Sequence, residues 1–148
     1  PKIIQALYQA SQAGVQINCI VRGMCRLVPG IKDVSDNIEV RSIIGRFLEH
    51  TRVYYFSNNG KPRMFGASAD WMERNLFKRV ETCFPIDNEA WSNRVKDELD
   101  LYLKDNCQSW ILQPDGSYIK SEPKEGEERI SAQRILLETL AVSNSKKE

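Results

Sequence analysis

The stretch PKIIQALYQASQAGVQINCIVRGMCRL (residues 1–27) sets the fold class. Apolar residues at helical spacing predict a helix over residues 1–13, which Gly14 ends. Residues 15–27 then form a nearly continuous apolar run, typical of a strand whose sheet is covered by helices on both faces. Helix, glycine and strand are half of a βαβ unit, so an α/β domain is predicted. Because the strand before the first helix is absent, we expect the chain to start inside a larger architecture.

Further along the chain, turn signals separate short strands from longer helices. Residues 52–56 and 63–67 are β-rich runs on either side of SNNGKP, and since Asn-Gly accepts positive φ this pattern predicts a β-hairpin. The mixed apolar and basic residues 38–48 allow either a short helix or an extended loop. The other predicted elements are a helical turn (71–77), a strand (78–86), an amphipathic helix (88–106), two short strands around a Pro-Asp-Gly-Ser turn (110–119) and a second amphipathic helix with Ser131 as its N-cap (131–142).

Length and composition are those of one soluble domain. The chain has 148 residues, of which 41% are apolar and 28% charged. The predicted elements place the domain over residues 1–142, with residues 143–148 as a solvated tail. No stretch approaches the roughly 20 apolar residues that cross a bilayer, and residues 1–10 lack the layout of a signal peptide. A cytoplasmic location is therefore expected.

The cysteines predict neither a metal site nor a disulfide framework. The four of them form no Cys-x-x-Cys pair, and a single histidine cannot complete a familiar structural zinc site. The first three, Cys19, Cys25 and Cys83, lie among apolar residues of predicted strands, where a free thiol behaves as a small hydrophobe. We interpret them as reduced core thiols.

Charge is distributed unevenly along the chain although the net charge is only +1. Residues 1–83 hold 12 Lys and Arg against 7 Asp and Glu, whereas residues 84–148 hold 9 against 13. The basic excess is mostly arginine, whose planar fork matches phosphate oxygens. This pattern favours a polyanionic partner, and chance clustering on a solvated surface is the alternative.

His50 is the only histidine and lies where an arginine-rich connection enters the predicted hairpin. Arg46 and Arg52 are close to it in sequence, and the small-residue run Gly66–Trp71 follows on the next strand. Small residues let the backbone approach a bulky anion, and Ser68 adds a hydroxyl donor. His50 is therefore a candidate for chemistry on phosphate, with a surface or capping histidine as the alternative.

Three charged residues lie on predicted strands. Arg22 falls within the first apolar run, where a guanidinium is costly unless it reaches an anion at the carboxyl end of the strand or forms a structural ion pair. Arg79 and Glu81 alternate along the predicted strand 78–86, so that one is a candidate phosphate ligand and the other a candidate to orient His50. A surface ion pair between the two is the alternative.

Four separated segments resemble the C-terminal domain of bacterial polyphosphate kinase. They are IVRGMC (residues 20–25), IEVRSIIGRFLEH (38–50), GASADWM (66–72) and LQPDGSY (112–118). Their order along the chain makes the resemblance more specific than any one segment. It implies a phospholipase D-like mixed β-sheet flanked by helices, present here as a single-domain fragment.

The resemblance also implies an activity, namely reversible transfer of the terminal phosphoryl group of ATP to inorganic polyphosphate through a phosphohistidine. In that family two related domains face each other across the active site, and this chain resembles the second. The phosphorylated histidine and the Mg²⁺ ligands are then expected on the first, so that the isolated fragment is expected to be inactive. ATP or ADP, polyphosphate and the missing domains are the implied partners, in a homo-oligomer that binds no nucleic acid and can associate peripherally with a membrane.

Residue by residue, His50 matches the second active-site histidine of the family, Arg22 a phosphate-binding arginine and Arg79 a nucleotide-side arginine. Arg52, Ser68 and Glu81 are expected to support them. The chain departs from the His-x-Lys…Asp pattern of phospholipase D, because His50-Thr51-Arg52 is followed by Ser57 at the position of the acid. A phosphodiesterase or nuclease is therefore the second hypothesis, and a non-catalytic polyphosphate-binding module the third.

Overall fold

Four α-helices and seven strands lie in the part of the chain that the structure describes. The computed structural model describes residues 2–145, with side chains up to residue 141. The helices are α1 (Lys2–Gln12), α2 (Glu73–Lys78), α3 (Glu89–Lys104) and α4 (Ala132–Ser145). The strands are β1 (Ile17–Ile20), β2 (Ile38–Ile43), β3 (Val53–Phe56), β4 (Arg63–Ala67), β5 (Cys83–Pro85), β6 (Ser109–Leu112) and β7 (Tyr118–Lys120).

The strands form two separate sheets, each in its own compact unit. One unit contains residues 2–49 and 100–145, and the other contains residues 50–99. The larger unit has a mixed sheet in the order β1-β2-β6-β7, in which only β1 and β2 are parallel. The smaller unit has an antiparallel sheet in the order β3-β4-β5. The predicted mixed α/β class is confirmed, with the strands divided between two sheets.

Strand β2 is the centre of the larger unit and corrects the interpretation of residues 38–48 as a short helix or a loop. Ile38 and Val40 are buried on one face and belong to the main core cluster with Leu27 and Leu112. Arg41 gives the segment its loop-like polarity, but its guanidinium bonds to Glu39 and to backbone carbonyls of α3. The period-2 burial therefore outweighs the charges.

The first predicted strand is shorter than its apolar run. β1 ends at Ile20, so that Arg22 lies beyond the strand and is exposed to solvent, which corrects its predicted place in a buried strand. Cys25 also lies outside the strands, although Cys19 is on β1 as predicted. Cys83 is on β5 but exposed, so it is not a core thiol. All four cysteines are free.

The smaller unit contains the predicted hairpin. Val53 pairs with Gly66 and Phe56 with Arg63, and the loop between them has positive φ at Asn58, Asn59 and Gly60. The predicted strand 78–86 is reduced to β5, because α2 extends to Lys78 and the ladder ends at the pair Ala67–Cys83.

Towards the C-terminus most of the predicted elements are present, and the predicted tail is the exception. α3 and the β6–β7 pair lie where they were expected. α4 continues through Ser145, so residues 143–145 of the predicted tail are helical. The rest of that tail, residues 146–148, and Pro1 lie outside the described residues. Within residues 2–145, no helix is both long and apolar enough to span a membrane.

Candidate active-site elements

His50 lies at the entrance to β3 in the smaller unit and is exposed. Its imidazole contacts Arg52, whose Nη1 is 3.0 Å from Nδ1 and 3.2 Å from Nε2. The same Nη1 donates to the His50 carbonyl oxygen at 3.0 Å. A guanidinium has donors only, so Arg52 can only donate to the imidazole. The pair thus places an exposed imidazole beside a permanent positive charge.

Arg52 is fixed by the end of the small-residue run. Its Nε donates to Asp70 Oδ1 at 3.0 Å, and the backbone N–H of Ala67 donates to the Arg52 carbonyl at 2.9 Å. Tyr54 Oη donates to the Ala69 carbonyl at 2.9 Å, so strand β3 holds this run at one further point. The sequence pointed to Gly66–Trp71 as an anion cradle but gave no role to Asp70, since no motif spacing joins it to Arg52.

Glu81 belongs to a different cluster from the one in which it was expected. Its carboxylate accepts hydrogen bonds from Ser68 Oγ and from Asn75 Nδ2, the latter at 2.9 Å. The Thr82 N–H donates to Ser68 Oγ at 3.0 Å, so these side chains join the end of β4 to the start of β5. Glu81 therefore orients Ser68, and Arg52 is the side chain that contacts His50.

Arg79 directly follows α2, with an extended backbone and an exposed side chain. Its position leaves the guanidinium open to an anionic ligand. The predicted alternation of Arg79 and Glu81 along one strand is wrong, because both residues precede β5.

Arg22 lies in the larger unit, at the carboxyl end of the parallel pair β1–β2. The Val21 N–H donates to the Arg41 carbonyl at 2.8 Å and keeps the chain in register one residue past β1. Arg22 and Gly23 then line a cleft of about 350 Å³ together with Trp110 and Tyr118. Arg22 is thus an exposed guanidinium at this sheet edge and not a buried charge.

The segment that leads into His50 is held by hydrogen bonds that sequence reasoning missed. We call residues 45–49 the strap. Gln133 of α4 binds both backbone groups of Phe47, accepting from its N–H at 3.0 Å and donating to its carbonyl at 2.8 Å. Gln133 Nε2 also donates to Glu49 Oε1 at 2.7 Å, and Tyr102 Oη donates to Glu49 Oε2 at 2.9 Å.

A buried carboxylate fixes the start of α4. Asp105 is 2% exposed, and its Oδ1 accepts from three successive backbone N–H groups, those of Cys107, Gln108 and Ser109. Its Oδ2 accepts from the Ala132 N–H at 2.7 Å. The hydroxyl of the predicted cap, Ser131, instead donates to Gln108 Oε1 at 2.9 Å. Asp105 thus supplies from a distance the acceptor expected of Ser131.

The described residues offer no cage for the Mg²⁺ that the resemblance implies. Among residues 2–145, no three His, Cys, Asp or Glu side chains cluster closely enough to hold a metal ion. Two carboxylates that contact candidate residues, Asp70 and Glu81, are engaged by Arg52, Ser68 and Asn75. No step is therefore assigned to a metal held by this chain.

Comparison with known proteins gives one consistent result. The family model described as polyphosphate kinase C-terminal domain 2 matches residues 1–133. A polyphosphate kinase of Pseudomonas syringae is 62% identical over 141 residues, which are 95% of this chain and 19% of the relative. One from Neisseria meningitidis is 56% identical over 137 residues, 92% of this chain and 20% of the relative.

The fold also matches a solved structure. The crystal structure of the polyphosphate kinase from Porphyromonas gingivalis superposes with a TM-score of 0.92 at 36% identity, covering 98% of this chain and 22% of that chain. The chain therefore spans about one fifth of the length of the relatives that it matches.

Proposed function

Since this chain belongs to the polyphosphate kinase C-terminal domain family, we propose that it supplies one side of the active site of an enzyme that moves the terminal phosphoryl group of ATP reversibly onto inorganic polyphosphate. The phosphohistidine intermediate and the Mg²⁺ ligands are assigned to the preceding domain of the complete kinase. In this proposal the present chain contributes an acid–base or clamping histidine and arginines that neutralise phosphate oxygens.

The observation that carries the proposal is the exposed His50 imidazole 3.0 Å from Arg52 Nη1, with Arg52 anchored on Asp70. An approaching phosphate breaks few existing hydrogen bonds, because Arg52 has further N–H donors and the imidazole is open to solvent. The imidazole then accepts or returns a proton while the guanidinium offsets the charge on the phosphoryl oxygens. Phosphoryl transfer depends mainly on such positioning and charge compensation.

Arg22 and Arg79 are each proposed as a further phosphate ligand. Both are exposed, and Arg22 lies at the carboxyl edge of a parallel strand pair, where anionic ligands bind in α/β sheets. The Ser68 hydroxyl donates its only hydrogen to Glu81, so Ser68 supports the site by joining the end of β4 to the start of β5. Because the two arginine side chains are exposed, an anion can bind without uncovering a buried charge.

Phosphodiester hydrolysis of the phospholipase D type has less support. The position of the catalytic acid is occupied by Ser57, which is exposed in the hairpin loop. The carboxylate that contacts Arg52 is Asp70, eighteen residues further along the chain. A carboxylate bound to a guanidinium compensates charge on Arg52 and does not replace the missing acid.

The wider setting of the enzyme is proposed from family resemblance alone. It comprises a cytoplasmic homo-oligomer that uses ATP with Mg²⁺ and can associate with a membrane surface. Binding of nucleic acid is not part of it.

The test uses a complete polyphosphate kinase that carries this chain as its C-terminal domain. His50→Ala and His50→Gln are expected to lower kcat by about 10²–10⁴ in both polyphosphate synthesis and ATP formation, because a positioned proton-transfer group is lost. Thr51→Ala, at the neighbouring exposed residue, is the matched control. Circular dichroism checks the fold. Near-normal rates for both His50 variants would overturn the proposal.

A further inference from the structure

We propose that Gln133 is a positioning residue for His50, acting from α4 through the strap. The inference rests on the proposed role of His50 and assigns a function to a helix that the candidate site does not otherwise use. Glu49 directly precedes His50, so the contacts that hold the chain at Glu49 also restrict the position of the histidine.

All the hydrogen-bonding atoms of the Gln133 amide face the strap. Oε1 accepts from Phe47 N–H, and Nε2 donates both to the Phe47 carbonyl and to Glu49 Oε1. Gln133 is 5% exposed, so these bonds are shielded from water and are strengthened by it. One amide thus fixes both backbone groups of Phe47 and the carboxylate of Glu49, two residues later. Tyr102 holds the second oxygen of the same carboxylate.

Packing cannot take over this task, because the apolar side chains of the strap point into solvent. Phe47 is 46% exposed and Leu48 is 71% exposed. A segment with so little buried apolar surface has little hydrophobic stabilisation and would fluctuate among many backbone conformations. The hydrogen bonds to Gln133 and Tyr102 therefore determine its conformation.

The fit around the amide is close. A Cβ added at Gly45 would lie 2.3 Å from Gln133 Oε1 and 2.3 Å from Gln108 Nε2, so the strap backbone passes directly against these side chains. Gln133 itself lies in the first turn of α4, which the buried Asp105 caps. Gln133 is thus held at a fixed helix end, as a residue that positions another must be.

The test compares Gln133→Glu, Glu49→Gln and the double variant in the complete kinase, with Arg134→Ala at the adjacent exposed position of α4 as control. Gln133→Glu removes both donors and places two carboxylates against each other. We expect kcat to fall by about 10–10²-fold with KM for ATP changed by less than about threefold, as for a misplaced catalytic group. The double variant restores a donor opposite a carboxylate, so its kcat should exceed that of Gln133→Glu.

A second measurement does not depend on catalysis. Amide hydrogen exchange of a peptide covering residues 45–50 should accelerate in Gln133→Glu, because the strap loses both bonds from Nε2 and the new carboxylate repels Glu49. It should remain at the wild-type rate in Arg134→Ala. Unchanged exchange together with an unchanged kcat would overturn the inference. If His50→Ala keeps full activity, the proposed role of His50 fails instead. The exchange result then shows whether Gln133 holds the strap even though His50 has no catalytic role.

Discussion

Replacement of Asp105 by alanine should be among the most destabilising single changes in the larger unit. Its carboxylate is 2% exposed and accepts from four backbone N–H groups, at residues 107, 108, 109 and 132. At about 1 kcal/mol for each lost hydrogen bond, Asp105→Ala costs about 4 kcal/mol, including the loss of the acceptor that caps α4. For a chain of this length that lowers Tm by about 8–16 °C.

Asp105→Asn provides a graded comparison. Asparagine keeps one oxygen for the three successive N–H groups but presents an NH₂ group to the Ala132 N–H, so about 1–2 kcal/mol is expected. Asp97, an exposed carboxylate on α3, is the control, and Asp97→Ala and Asp97→Asn should each stay within about 0.5 kcal/mol of wild type. Urea unfolding followed by circular dichroism gives the free energies. An Asp105→Ala chain within 1 kcal/mol of wild type would refute the reasoning, since the carboxylate would then not hold α4.

Three further outcomes are expected. Gly45→Ala should lower the free energy of unfolding by about 1–3 kcal/mol because its Cβ meets Gln108 and Gln133, whereas Gly23→Ala, with no atom within 4 Å of the added Cβ, should be neutral in the same urea titration. Burial raises the pKa of the Cys19 thiol to about 11, so at pH 8 only about one molecule in 10³ carries the thiolate at Cys19. Iodoacetamide labelling, read by mass spectrometry, should therefore modify the exposed Cys83 first. Rapid labelling of Cys19 in the folded chain would contradict this. Arg22→Ala should weaken binding of polyphosphate in an equilibrium titration, while Tm falls by less than about 2 °C because the side chain is exposed. Unchanged affinity together with a large fall in Tm would instead indicate that Arg22 forms a structural ion pair.

Local pattern was sufficient for much of the secondary structure. The Asn-Gly signal between two β-rich runs, the amphipathic period of α3 and the Pro-Asp-Gly-Ser turn between β6 and β7 each act within a few residues, so their outcome does not depend on the rest of the chain. Four short segments in order were enough to indicate the family. Composition and spacing also singled out His50, Arg22 and the small-residue run.

Strand pairing and burial depend on residues far apart in the chain, and there the sequence was a poor guide. The segment 38–48 resembled a helix or loop until β1 and β6 were seen on either side of β2. Arg22 seemed to require a partner for a buried charge, but β1 ends two residues before it. The neighbour of the His50 imidazole proved to be Arg52, since Glu81 lies within reach of Ser68 and Asn75.

The sequence by itself determined most of the elements and the family, and it supplied the list of candidate side chains. Only the tertiary structure decided what holds them, because a hydrogen bond between residues such as Phe47 and Gln133, 86 positions apart, leaves no periodic trace in the chain. The same holds for Asp105 and the N-terminus of α4, where a remote carboxylate provides the cap that local rules assign to Ser131. Such contacts follow from which backbone groups the fold buries and must pair, and that is known only once the chain is folded.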